Sequence, residues 1–149
     1  MWQIGEAKLK ILVLNGPSIN LTGYREPEIY GHETYLDLER KLKAYGKEHN
    51  IKIKMVQTNS EGKLIDYLQE ALYKGYDGVV LNAGAYTHYS YAIRDAITAI
   101  SLDVVEVHLT DTMTREDFRK NNVIRDVCSA CFEGKHFDSY IEGINYFIK

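Results

Sequence analysis

Short apolar runs of strand type alternate five times with longer segments of helix type along this chain. Residues 9–15, LKILVLN, form a near-continuous apolar run that stops at Gly16-Pro17, as suits a strand buried on both faces of a parallel sheet. Over 34–49, Tyr35, Leu38, Leu42 and Tyr45 recur at three- and four-residue spacing, the period of an amphipathic helix. IKIKMVQT (51–58) then alternates as a strand. Residues 62–74 return to the helical period through Leu64, Ile65, Leu68, Ala71 and Leu72, and DGVVLN (77–82) is a third strand. A helix over 90–100, strands at DVVEVHL (103–109) and DVCSACFE (126–133), a short helix over 114–119 and a closing helix over 137–148 complete the pattern.

The alternation predicts one α/β domain over 1–149 with a parallel sheet and right-handed crossovers. Five such units favour a doubly wound, flavodoxin-like, five-stranded sheet flanked by helices, in which ligands bind beyond the carboxyl ends of the strands, near the switch point. The chain's 149 residues suffice for a real core. A net charge of −3 with dispersed basic residues argues against nucleic acid as partner. No apolar run approaches the roughly 20 residues of a membrane span, and MWQIGEAKLK has no apolar signal core. Together with the modest use of cysteine, this leads us to expect a cytoplasmic protein.

The two cysteines form Cys128-Ser-Ala-Cys131. A redox pair of this spacing works at a helix N-terminus, where the dipole favours thiolate. VCSACFE has strand character instead, which would turn the two residues to opposite faces, and a single pair supplies only half a zinc site. Two buried structural thiols are expected.

Polar residues collect where the strands should end. Asn15, Gly16, Pro17, Ser18 and Asn20 follow the first strand, and Asn82-Ala-Gly-Ala-Tyr-Thr-His88 follows the third. Glu106 and His108 lie two apart in the fourth, so they share a face, and Thr110, Arg115 and Arg119 come after it. Each has a plain structural alternative. Asn82 and Gly84 can simply make a turn, His88 can cap a helix, and two arginines four apart can line a solvated face. Glu106 and His108 resist this, because unpaired charge inside a parallel sheet costs several kcal/mol or more; only an edge strand with a wet face would relieve it. A carboxylate beside an imidazole stabilises and orients the protonated ring, which suits a general acid. With two arginines and turn amides as anchors, the set suggests acid–base chemistry on a small oxygen-rich anion. Neither GxGxxG nor GxxxxGK[ST] occurs.

GYREPEIYGHET, Gly23 to Thr34, is too long for a strand-to-helix connection, which usually takes about two to six residues. It places Arg25 and Tyr30 between glycines, one of twelve tyrosines that could equally be packing residues.

LNGPSINLTGYREPEIYG, QTNSEGKLID, NAGAYTH, RDAI, VEVHLTD and REDFR, in this order, resemble the type II 3-dehydroquinate dehydratases, from about Lys8 to Lys149. The resemblance implies a flavodoxin-like hydro-lyase of the shikimate or quinate pathway that converts 3-dehydroquinate to 3-dehydroshikimate by anti elimination of water, without metal, organic cofactor or Schiff base. By motif, Tyr30 would be the base at C2 with Arg25 as activator, and His108, oriented by Glu106, would protonate the departing C1 hydroxyl. Ser18 would donate near the developing enolate. Asn82, His88, the backbone at Leu109 and Thr110, and Arg119 would hold carboxylate and ring hydroxyls. Asp95 would reach the site of a neighbouring subunit in a homo-oligomer, a dodecamer built from trimers. Residues 21–32 would be a lid closing only over bound substrate, and residues 1–8 an extension with no assigned role.

The chain departs from the family pattern at Ser18, where asparagine is usual, at Asn122 for a common serine, and at Ala130 and His136 for glycines. Ser18 motivates a second reading, a diverged relative with low activity or another substrate. A non-catalytic flavodoxin-like binding module is a third, which leaves the polar clustering unexplained.

Overall fold

A computed structural model describes residues 8–148, the side chain of Tyr30 excepted; most of the 1–8 extension therefore lies outside the described residues. Five strands, β1 (Leu9–Asn15), β2 (Ile51–Gln57), β3 (Gly78–Asn82), β4 (Asp103–His108) and β5 (Ala130–Glu133), form one all-parallel sheet in the order β2-β1-β3-β4-β5. The helices are α1 (Pro27–Tyr30), α2 (Tyr35–His49), α3 (Glu61–Tyr73), α4 (Tyr91–Ile100) and α5 (Phe137–Asn145).

The helix starts follow from capping chemistry. Thr34 accepts from the amide of Asp37 while the Asp37 carboxylate accepts from the amide of Thr34, a reciprocal capping box at α2. The hydroxyls of Ser60 and Ser90 likewise accept from Lys63 and Ile93 to open α3 and α4.

Alternate residues of β1 go to opposite sides of the sheet, as the pleat requires. Leu12 and Leu14 join Leu64, Leu68, Ile93 and Ile97 under α3 and α4. Ile11 and Val13 join Leu38, Leu42, Tyr140 and Ile144 under α2 and α5. Both clusters are buried, so the interior strands β1 and β3 read as continuous apolar runs, whereas the edge strand β2 alternates.

Four boundaries differ from the sequence expectation. The 23–34 connection is not bare loop but contains α1. The expected helix over 114–119 is a pair of 3-10 turns, Thr112–Thr114 and Asp117–Lys120. The closing helix stops at Asn145. The fifth strand begins only at Ala130, because residues 122–128 are a turn: the Asn122 side-chain oxygen accepts from the amides of Ile124 and Arg125, followed by a 3-10 turn over Arg125–Val127. An asparagine that satisfies local amides competes with strand pairing. Cys128 therefore precedes the strand and only Cys131 is in it. Both are free and half-buried rather than fully buried, and burial, with the Glu106 carboxylate adding to it, pushes each thiol up to about 12.

Candidate active site

The strand order changes direction between β1 and β3, whose last residues Asn15 and Asn82 are register partners. The hydroxyl of Tyr140, on α5, donates to Asn15 Oδ1 at 2.7 Å and accepts from Asn82 Nδ2 at 2.8 Å. The Gly84 amide donates to Asn82 Oδ1 at 3.1 Å. One buried phenol thus fixes both asparagines at the switch point. Tyr140 had no sequence signal beyond its place on an apolar helix face.

Beyond these strand ends lies a cleft of about 130 Å³ lined by Ser18, Arg25, Asn82, His88, His108, Leu109, Thr110 and Arg119 among others. Eight of the eleven residues expected at the site are therefore brought together. Arg115 also lines it, as expected from its grouping with Arg119, and Thr112 joins them without having been anticipated. Glu106 stands behind His108. Asp95 is exposed on α4 and is not among the cleft residues. For Tyr30 only the backbone is described, at the end of α1; its side chain lies outside the described residues.

β4 is an interior strand, between β3 and β5, so the wet-edge alternative for Glu106 and His108 fails. Glu106 is fully buried, and its Oε2 meets His108 Nε2 at 2.5 Å. Asn122 Nδ2 donates to the same oxygen at 2.7 Å, and Arg125 Nε donates to Oε1 at 2.9 Å. Burial alone would raise this carboxyl; the hydrogen bond and charge of His108, then those of Arg125, outweigh it and hold the group at about 2. Glu106 is therefore ionised at neutral pH, and the His108 nitrogen left for the cleft is Nδ1.

His88 is held differently. Its Nδ1 donates to the carbonyl of Asn121 at 2.7 Å, and Asn121 Nδ2 returns a bond to the His88 carbonyl at 2.9 Å. Burial lowers its proton affinity, with the Asn121 carbonyl working the other way. A neutral ring donating through Nδ1 keeps Nε2 as an acceptor. The two histidines thus differ in kind: one is paired with a carboxylate, the other is kept neutral with one ring nitrogen left as an acceptor.

Arg25 reaches the cleft from the segment before α1, whose flanking Gly23 and Gly31 have φ of 92° and 85°. Only glycine takes such angles freely. Glu26 bridges the arginines of two elements, at 3.9 Å from Arg25 and 4.0 Å from Arg115. Arg119 is held by Glu116 at 2.5 Å and lies over the ring of Phe118. Against the second glycine of this segment sits His136, whose Nε2 lies 2.9 Å from where a Gly31 Cβ would be.

The family model for class II dehydroquinases matches residues 9–148. This chain belongs to that family. A 3-dehydroquinate dehydratase of Clostridium beijerinckii is 47% identical over 136 residues, 91% of this chain and 93% of that one. One from Bacillus pumilus is 49% identical, covering 92% of each. Among solved structures, the type II dehydroquinase from Butyrivibrio crossotus superposes with a TM-score of 0.92 at 45% identity, over 93% of this chain and 97% of that one. The five-stranded, all-parallel sheet flanked by helices agrees with the doubly wound expectation.

Proposed function

We propose that this chain is a type II 3-dehydroquinate dehydratase, acting in the shikimate pathway by anti elimination of water through an enolate-like intermediate. The observation that carries the reading is the buried Glu106–His108 couple, 2.5 Å apart at the floor of a cleft with arginines around it. His108, oriented by Glu106, presents Nδ1 as the acid for the leaving C1 hydroxyl. Tyr30 takes the C2 proton. An unassisted phenol ionises near pH 10, so a base working at neutrality needs about 3 units of help, roughly 4 kcal/mol. Arg25, a permanent cation on the same segment, is the right kind of group to supply it.

As the proton leaves, charge grows on the carbonyl oxygen and needs donors already in place. Ser18 serves there, through its hydroxyl or a water it orders. Arg119, with the amides at Leu109 and Thr110, anchors the carboxylate and ring oxygens, while Asn82 and neutral His88 take ring hydroxyls. Residues 21–32 form the lid that carries the base. Acid, base and donors all come from the chain, so the reaction requires neither metal, organic cofactor nor Schiff-base lysine.

Asp95 sits on the outer surface of α4, which suits a contact with a neighbouring subunit's site in a dodecamer of trimers. We place the protein in the cytoplasm. Among the described residues no helix is long and apolar enough to cross a membrane.

The test is direct. Purified protein mixed with 3-dehydroquinate should develop the absorbance of a conjugated enone. The rate should be indifferent to chelator and to borohydride in the presence of substrate. Loss of activity on chelation with rescue by a divalent ion, or borohydride inactivation, would end this reading.

A further inference from the structure

Glu106 is buried behind His108, and its two oxygens are not equivalent. Oε2 takes His108 and Asn122, at 2.5 and 2.7 Å. Oε1 takes Arg125 Nε at 2.9 Å, and Arg125 Nη2 comes within 3.4 Å of Oε2. That same Nη2 donates to Glu133 Oε2 at 3.1 Å, which also accepts from the Thr112 hydroxyl at 3.0 Å. Thr112 lines the cleft. A single guanidinium therefore clamps the carboxylate behind the acid to a second carboxylate whose other partner touches the substrate space.

We propose that Arg125 is a positioning residue that sets how tightly the Glu106–His108 couple holds its proton. The inference rests on the reading of His108 as the general acid. A carboxylate facing only an imidazole would keep the shared proton to high pH and release it reluctantly to a leaving group. A permanent cation on the far oxygen draws on the same negative charge and loosens that hold. Arg125 reaches Glu106 from a turn that Asn122 ties down through its amide contacts, while Asn122 also donates to Glu106. Turn, clamp and couple are thus one connected hydrogen-bonded unit.

Other titratable groups face the couple from every side. His88, from the turn after β3, and Arg119 line the same cleft as His108. Cys131 and Glu133 come from β5 and Cys128 from the turn before it. The cysteines are protonated across the working range, and Glu133 is itself bonded to Arg125, so the guanidinium supplies the cationic pull on Glu106 that His108 must compete with.

The experiment reads the couple without substrate. Histidine-selective NMR of the ligand-free protein, with the His108 signal assigned through His108→Asn, follows proton release across pH in wild type, Arg125→Met and Arg125→Lys. The couple titrates as a unit, so its midpoint is the quantity compared. In Arg125→Met the midpoint should rise by on the order of one pH unit, and the alkaline limb of kcat should rise with it. Arg125→Lys, which keeps the charge, should stay near wild type in midpoint. An unchanged midpoint in folded Arg125→Met overturns the proposal. If Arg125→Met does not fold, Arg125→Gln removes the charge but keeps donors, and an unchanged midpoint there overturns it equally. Absence of turnover by the wild type would count against the dehydratase reading, whereas the ligand-free midpoint decides the role of Arg125 by itself.

Discussion

Ser18 has φ 65° and ψ 2°, the left-handed region, where asparagine is several-fold enriched over other side chains that carry a Cβ. Its amide donates to Asn59 Oδ1 at 3.1 Å, so the backbone there is held from outside. Ser18→Asn should therefore stabilise the fold slightly while restoring a longer donor to the cleft, with turnover preserved or raised. Thermal unfolding and kcat measured together check this; a hundredfold loss, about 2.7 kcal/mol, would show a site built around serine. His136 departs from the family pattern in the same kind of place, at φ 55° and ψ −130°, where a residue with a Cβ carries strain of about 1–3 kcal/mol. At Tyr30, replacement by phenylalanine should lower kcat by at least the 10²–10⁴ that general-base removal costs, with KM nearly unchanged. Arg25→Ala should fall comparably but recover as pH rises toward 10, since the phenol then ionises unaided, whereas Tyr30→Phe should stay flat. Substantial turnover by Tyr30→Phe would remove the tyrosine as base.

At the level of elements, α5 does two jobs. Gly143 lets it approach the sheet: a Cβ there would sit 2.9 Å from Val107 Cγ1 and 3.2 Å from Val80 Cγ1. Gly143→Ala should destabilise by about 1–3 kcal/mol through overpacking, visible as a lower urea midpoint. Tyr140 holds Asn15 and Asn82 from the same helix, so Tyr140→Phe should cost about 1–3 kcal/mol for the polar groups left buried and raise KM as Asn82 loosens; an unchanged KM would mean that Asn82 is positioned by Gly84 alone. These examples mark what a sequence carries and what it does not. The five strands, the principal helices and the shared face of Glu106 and His108 all depend on neighbours a few positions away, and all were readable. Tyr140 reaches Asn15 across 125 positions, and Arg125 reaches Glu106 from a turn that runs into the start of the segment read as the fifth strand. Long-range pairing of that sort leaves no periodic trace, and Asn122's capture of two amides overrode the strand propensity of the residues after it.

For the whole molecule, pH should act on stability from both sides. Glu106 is depressed to about 2, so its contribution is complete above the unfolded value of about 4.3 and is lost as pH falls below it. His88 is held neutral, which costs stability as pH falls through about 6.5, where the unfolded ring takes up its proton. The two cysteines are raised to about 12; unfolded thiols ionise near pH 8.5, so stability declines again above that value. Urea midpoints should form a plateau between about pH 7 and 8.5 and fall on either side; a monotonic rise into alkali would contradict the thiol contribution. Assembly belongs to this scale too. Asp95→Ala should reduce the assembled fraction or the activity, and a fully active monomer on a sizing column would refute both the neighbour contact and the oligomer. The thiols have a further use. With so little thiolate at neutral pH they should ignore alkylating reagents while the sheet is closed, and Cys131 lies in a four-residue edge strand. Labelling would then time the peeling of that strand separately from global unfolding, so the chain carries its own chemical stopwatch for the edge of its sheet.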